Sequence, residues 1–234
     1  MATSVQAPGR TGTVPPPGES RVVTWLIQWV KTHRQAAVAI VIAVVGGAGL
    51  IWWNVISQQR TEAVAGERLA QARLAFESGN YPLAASELSQ VVENYAGTSA
   101  AEEAQLVLGQ VRLHQGQPQQ AIEVLTPFAA KASAGYRAQA YGLLGAAYEN
   151  AGRWREAAQA YAEGVTHARY DFLKAQYLSD EARASLLAGD TTKALEAYRT
   201  ITAKYDSTPS IVEAKVRLGE LTRGAAGVAG AGPK

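Results

Sequence analysis

The chain is 234 residues long and carries 22 Lys and Arg against 20 Asp and Glu, 47% apolar residues and no Cys. The absence of Cys excludes a disulfide framework and a thiolate metal site, and His33, His114 and His167 lie too far apart in sequence to make a metal-ligand pair. Charge is unevenly placed. Residues 1–60 hold Arg10, Arg21, Lys31, Arg34 and Arg60 against Glu19, which leaves 17 basic and 19 acidic residues beyond them. Dispersed, mildly acidic charge in that larger part argues against nucleic-acid binding.

Residues 1–20, with Pro8, Pro15, Pro16 and Pro17, cannot build a core and read as a disordered cytoplasmic tail. Residues 21–34 are amphipathic. Arg21, Thr24, Gln28 and Lys31 share one helical stripe, and Val22, Val23, Trp25, Leu26, Ile27, Trp29 and Val30 cover the rest. Such a juxtamembrane helix would lie in a membrane interface with its Trp rings at headgroup depth, or form the first turns of a longer membrane helix.

Residues 35–57 read as a transmembrane helix. Ala36 to Ile56 is 21 residues without a formal charge, and at 1.5 Å per residue it covers roughly 31 Å, the thickness of a hydrocarbon core. Lys31 and Arg34 flank one end, Trp52 and Trp53 the other. A cleaved signal peptide is the competing reading, through Ala63-Val64-Ala65, but Arg60 and Glu62 intervene and the lead-in is long. Basic residues within some 20 positions of the span are tied, Arg21, Lys31 and Arg34 against Arg60, Arg68 and Arg73, and only the closest, Lys31 and Arg34, favour a cytoplasmic N-terminus and a periplasmic C-terminal domain. Ala39, Ala43 and Gly47 form a small-residue ridge on which another membrane helix could pack, although Ala and Gly are common in membrane helices generally. No ionisable residue interrupts the span, so it offers no proton or ion path. With no Pro or Gly between Ile56 and Gly66, the helix should run directly into the first helix beyond it.

Beyond residue 60 the helical period of 3.6 prevails and no strand alternation occurs, which makes the class all-α. The pattern is clearest from Tyr141 to Gly164. Leu144, Gly145 and Tyr148 share a face of one helix, Gly152 stops it, and Trp154, Ala157, Tyr161 and Gly164 share a face of the next. A small residue on the first helix recurs at Ala72, Gly109, Gly145, Ala182 and Gly219, at intervals of 37, 36, 37 and 37. The turn glycine recurs at Gly79, Gly116, Gly152 and Gly189, and the alanine after it at Ala84, Ala121, Ala157 and Ala194. Three landmarks on one period specify stacked helical hairpins.

This series resembles the tetratricopeptide repeat. The resemblance implies an α-solenoid over residues 61–223, four hairpins and then a capping helix from about Pro209 to Leu221, made polar on its outer side by Glu213, Lys215, Arg217 and Glu220. Residues 224–234 read as a flexible tail. The second hairpin departs from the pattern at Arg112, and Pro127 should kink or end its second helix. Ala72 and Ala182, in place of glycine, suggest local irregularity.

No constellation for catalysis is visible, and no cofactor or metal site. Glu102-Glu103 and Asp180-Glu181 read as solvated charges, and His167 with Asp171 as a solvated i,i+4 pair. Function must then come from surface. Stacked hairpins present their first helices on a concave, protein-binding groove. Helical geometry places there Leu69, Arg73, Phe76, Leu106, Gln110, Leu113, His114, Ala146, Glu149, Asn150, Ser179, Arg183, Leu186 and Leu187. The leucines equally suit packing between repeats. The Lys/Asn/Arg set with which some relatives clamp a C-terminal carboxylate is not found at these places.

Taken together, the Pro-containing tail, the Trp-bearing lead, the Gly-rich span ending Trp52-Trp53-Asn54 and the 37-residue repeats resemble the YfgM-type ancillary subunits of the bacterial Sec translocon. That resemblance implies an inner-membrane protein whose repeats face the periplasm, with the translocon, a membrane-anchored chaperone and unfolded clients as partners. The junctions Asn94 to Ser99 and Lys204 to Pro209 are also similar to those of periplasmic repeat proteins in envelope organisation, division and outer-membrane assembly. On that alternative the chain is a structural scaffold that self-associates through the Ala39, Ala43, Gly47 ridge. Such relatives are usually secreted or lipidated, and this chain has no lipobox Cys.

Overall fold

The computed structural model describes residues 21–229, without the side chains of residues 21–24, 26, 27, 37, 40, 41, 43 and 224–229. The expected tail at 1–20 lies outside the described residues. The chain divides between Ser57 and Gln58 into two units. The first contains helix α1, Arg21–Thr32, and the start of α2, Arg34–Glu77. Between them His33 stacks on Trp29 at 5.4 Å. The amphipathic lead and the apolar stretch therefore form separate helices, and α2 runs unbroken past Ile56, as the absence of Pro and Gly there predicts. Among the described residues no helix is long and apolar enough to cross a membrane. Four side chains inside the apolar stretch, Ala37, Ile40, Val41 and Ala43, are not among those described.

The second unit holds the rest of α2, then α3 (Tyr81–Asn94), α4 (Ser99–His114), α5 (Pro118–Lys131), α6 (Arg137–Asn150), α7 (Trp154–His167), α8 (Asp171–Leu187), α9 (Thr191–Lys204) and α10 (Ser210–Ala229). No strand occurs among the described residues. Each first helix ends at its turn glycine. Gly79, Gly116, Gly152 and Gly189 have φ of 78°, 69°, 71° and 83°, a conformation that costs an L-residue roughly 1–2 kcal/mol. The next amide reaches back to an otherwise orphaned carbonyl: Asn80 N to Ala75 O, Gln117 N to Arg112 O, Arg153 N to Tyr148 O and Asp190 N to Ser185 O, at 2.8–2.9 Å. Asn80 and Asp190 then cap the second helix, accepting from the amides of Leu83 and Lys193.

Within each hairpin a large residue of the second helix sits over the small residue of the first. A Cβ placed on Gly109 would lie 2.7 Å from Leu125, and one on Gly145 2.6 Å from the Tyr161 ring. Leu88 and Tyr198, at the same repeat position, are fully buried with Ala72 and Ala182 in their cores. Alanine at 72 and 182 thus leaves the repeats regular, contrary to expectation: one methyl still fits the crossing. Tyr177 of α8 reaches back into the preceding hairpin over Gly142 and Gly164.

Three further expectations are corrected. Pro127 does not end α5, which continues to Lys131. It lies on the exposed side, where water can serve the carbonyl that its missing N–H leaves free. The segment after Arg223 is not a flexible tail from its start, since α10 extends to Ala229. Ala225, Ala226 and Ala229 favour its helix. The outer side of α10 is not a polar cap either, because Val212 and Val216 are 69% and 54% exposed.

The crossing makes a graded prediction. Gly145→Ala should destabilise the repeat unit by about 1–3 kcal/mol, and more than Gly109→Ala, because Tyr161 is a rigid ring held by its hydroxyl whereas Leu125 has no such anchor. Gly219→Ala, with nothing within 4 Å of the new Cβ, should stabilise by about 0.5–1 kcal/mol. Urea unfolding of residues 58–234 reads all three.

Candidate functional site

Polar contacts join successive first helices. Glu62 on α2 accepts from the Ser99 and Ala100 amides at the start of α4, at 2.9 and 3.0 Å, and its charge suits the exposed end of that helix dipole. Glu102 on α4 accepts from Ser133 N just before α6, at 2.8 Å, so it is not merely solvated. Arg73 pairs with Glu103 across α2 and α4 at 2.7 Å, and the Ser179 hydroxyl donates to Glu213 across α8 and α10 at 2.8 Å.

Repeat stacking brings several expected groove residues together. Phe76 meets His114 edge-on, with ring centroids 5.3 Å apart, and His114 stacks on Tyr81 at 5.5 Å. Glu149 of α6 pairs with Arg183 of α8, and Arg183 also holds Asp180 at 2.7 Å. Asn150 donates to the Ala146 carbonyl. Gln110 is half-buried, and Leu113 and Leu186 pack partly against the cores. Three expected members are corrected. Leu69 and Leu106 are only 5% and 6% exposed and belong to the cores, because their positions face neighbouring helices of the array. Ser179 is likewise buried, whereas Leu187 is 54% exposed.

These stacked hairpins give a family model something definite to match, and one described as a tetratricopeptide repeat-like domain matches residues 63–179. The chain belongs to that family. Among solved structures, nearly identical TPR-like repeats of a kinesin light chain from Podosopora anserina align with a TM-score of 0.56 at 20% identity, over 70% of this chain and 88% of that one. A MamA protein aligns at 0.56 and 22%, over 72% and 84%. MamA from Desulfovibrio magneticus RS-1 aligns at 0.51 and 21%, over 61% and 76%. At these identities the likeness is one of fold. No curated protein shows a significant match. The tetratricopeptide-like fold is consistent with a protein-interaction scaffold and is typically non-catalytic.

The most developed polar cluster of this tetratricopeptide-like array joins its third and fourth hairpins. The Tyr161 hydroxyl donates to Glu149 at 2.9 Å. Burial first, then the Glu149 charge, raises the Tyr161 pKa well above its ordinary range. Burial, reinforced by Asp180, pushes Tyr177 up to about 12. Burial also opposes the Arg183 cation, but its bonds to Glu149 and Asp180 outweigh that and hold it charged. Asp180 and Glu181 are both raised, chiefly by burial. They are half-buried groups and not the solvated pair their adjacency suggested. His167 does not pair with Asp171, because α7 ends between them. It stacks on Tyr141 at 5.6 Å and lies 3.8 Å from Glu163.

Tyr81, Glu103, Tyr161 and Asp180 also join this face, although the repeat period alone does not mark them as groove residues. Only Tyr161 carries a usable signal, since its repeat position lies opposite the small crossing residue Gly145, which is one turn from Glu149 on α6.

Glu149→Ala should cost about 1–3 kcal/mol, because it strands a buried tyrosine hydroxyl. Tyr161→Phe should cost less in that background than in the native chain, as a double-mutant cycle will show. Asp180 has a folded pKa above its ordinary 3.8. The stability it contributes is therefore full below the unfolded value and is lost as pH rises through the folded one. Asp180→Asn should gain stability relative to the native chain between pH 4 and pH 7, measured by urea unfolding at each pH.

Proposed function

We propose that this chain is a single-pass membrane scaffold, an ancillary subunit beside the Sec translocon whose tetratricopeptide-like array holds protein partners on the periplasmic side. On this reading its N-terminus is cytoplasmic, and its partners are translocon components, a membrane-anchored chaperone and newly translocated clients. The observation that carries the membrane anchor is the character of α2 before Ser57. Val44, Val45, Leu50, Ile51, Trp52 and Trp53 are each 63–76% exposed. Neighbouring positions on a helix point in different directions, so no single packing face could cover them all. A helix apolar on every side finds its match in lipid. The flanking Lys31 and Arg34 support the orientation, and the translocon assignment rests on the YfgM-type resemblance.

Full-length protein should resist carbonate extraction from membranes, and deletion of residues 36–56 should release it. A topology reporter after Lys234 should register the periplasmic side. Photocrosslinking from Phe76 or Leu113 should capture translocon or chaperone components. A carbonate-soluble full-length chain, a cytoplasmic reporter signal or capture of cytosolic proteins alone would sink the proposal. Oligomers that dissociate on Gly47→Ile would instead favour the self-associating envelope scaffold.

A further inference from the structure

Among the described residues α10 is a first helix without a second helix beside it. Ala214 is fully buried, and Leu218 and Leu221 pack on the fourth hairpin, while Val212, Val216 and Gly219 lie on the opposite side. In the preceding repeats that side is closed. Ala72, Gly109, Gly145 and Ala182, which occupy the Gly219 position, are all buried. The Val212 position is filled by Ala65, Ala138 and Ala175, at most 6% exposed, and by the half-buried Glu102. On α10 nothing lies within 4 Å of a Cβ built on Gly219, and Val212 and Val216 are largely exposed.

Internal repetition states the chemistry of what fits there. Every second helix presents an alanine and, four residues on, a large side chain: Ala84 with Leu88, Ala121 with Leu125, Ala157 with Tyr161, and Ala194 with Tyr198, all at most 3% exposed. Charge adds a second condition. Around the open strip Glu213 is engaged by Ser179 and Glu220 by Arg217, whereas Lys215 and Arg223 form no ion pair among the described residues. A complementary occupant brings carboxylates to those two cations. A second α10 does not meet either condition, since it offers only Val and Gly to the strip and sets its own basic residues nearby.

We infer that the open face of α10 docks an amphipathic helix of another protein, one with Ala and Leu or Tyr four apart on its apolar strip and carboxylates beside it. The partner completes the fifth hairpin by placing its large side chain over Gly219. This goes beyond the scaffold reading by naming a surface outside the groove and the segment it takes, and it holds whatever compartment the array occupies.

The test uses detergent-solubilised full-length protein and a fluorescein-labelled peptide of residues 154–167, which carries Ala157, Tyr161, Glu156 and Glu163. Saturable binding is expected, weakened at least tenfold by Gly219→Leu and several-fold by Lys215→Glu with Arg223→Glu or by 0.5 M salt. Because the space beside Gly219 is open, Gly219→Leu should leave the circular dichroism spectrum intact and the unfolding midpoint no lower, so loss of binding reports the surface and not the fold. Absence of binding, or equal binding to the Gly219→Leu chain, overturns the inference. So does a dimer in analytical ultracentrifugation that Gly219→Leu dissolves, for then a second copy covers the face. Peptide binding alongside failed translocon crosslinking would remove the proposed function and leave this surface standing.

Discussion

Close approach of two helices at a small residue is the constraint on which the rest depends. Tyr161 can lie over Gly145, and Leu125 over Gly109, only because no larger side chain stands between them. Short crossings let each hairpin bury its large residue completely, and the buried strip then sets how the next hairpin stacks. Overpacking a single crossing would spread, since Tyr161 also carries a hydrogen bond to Glu149, and Glu149 holds Arg183 of the following repeat.

That linkage gives the candidate binding face its character. The inner residues are committed to one another across repeats: Arg73 to Glu103, Phe76 to His114, Glu149 to Arg183. A partner meets a surface whose polar groups are already oriented, so less side-chain entropy is lost on contact. The burial that raises Asp180 and Tyr161 shows the cost of holding such groups together, and the hydrogen bonds of Arg183 offset part of it. The terminal helix is the exception. Its outer strip has the form of an interior surface with no helix over it among the described residues, while the described large apolar side chains of α2 before Val55 are exposed on several sides.

Much of this architecture is legible in the residues alone. The 37-residue period, the four turn glycines and the helical class follow from local chemistry, because a positive φ, a missing Cβ and a 3.6-residue period each act within one or two turns of chain. The apolar stretch from Ala36 to Ile56 is equally local, being a matter of which side chains are present. Tertiary structure decided which groove leucines are core, that Pro127 lies where its missing donor is harmless, that Asp180 is half-buried, and that Val212 and Val216 face outward. Each depends on what stands opposite a residue from another repeat, and a period tells where a side chain lies on its own helix but not whether a neighbour covers it.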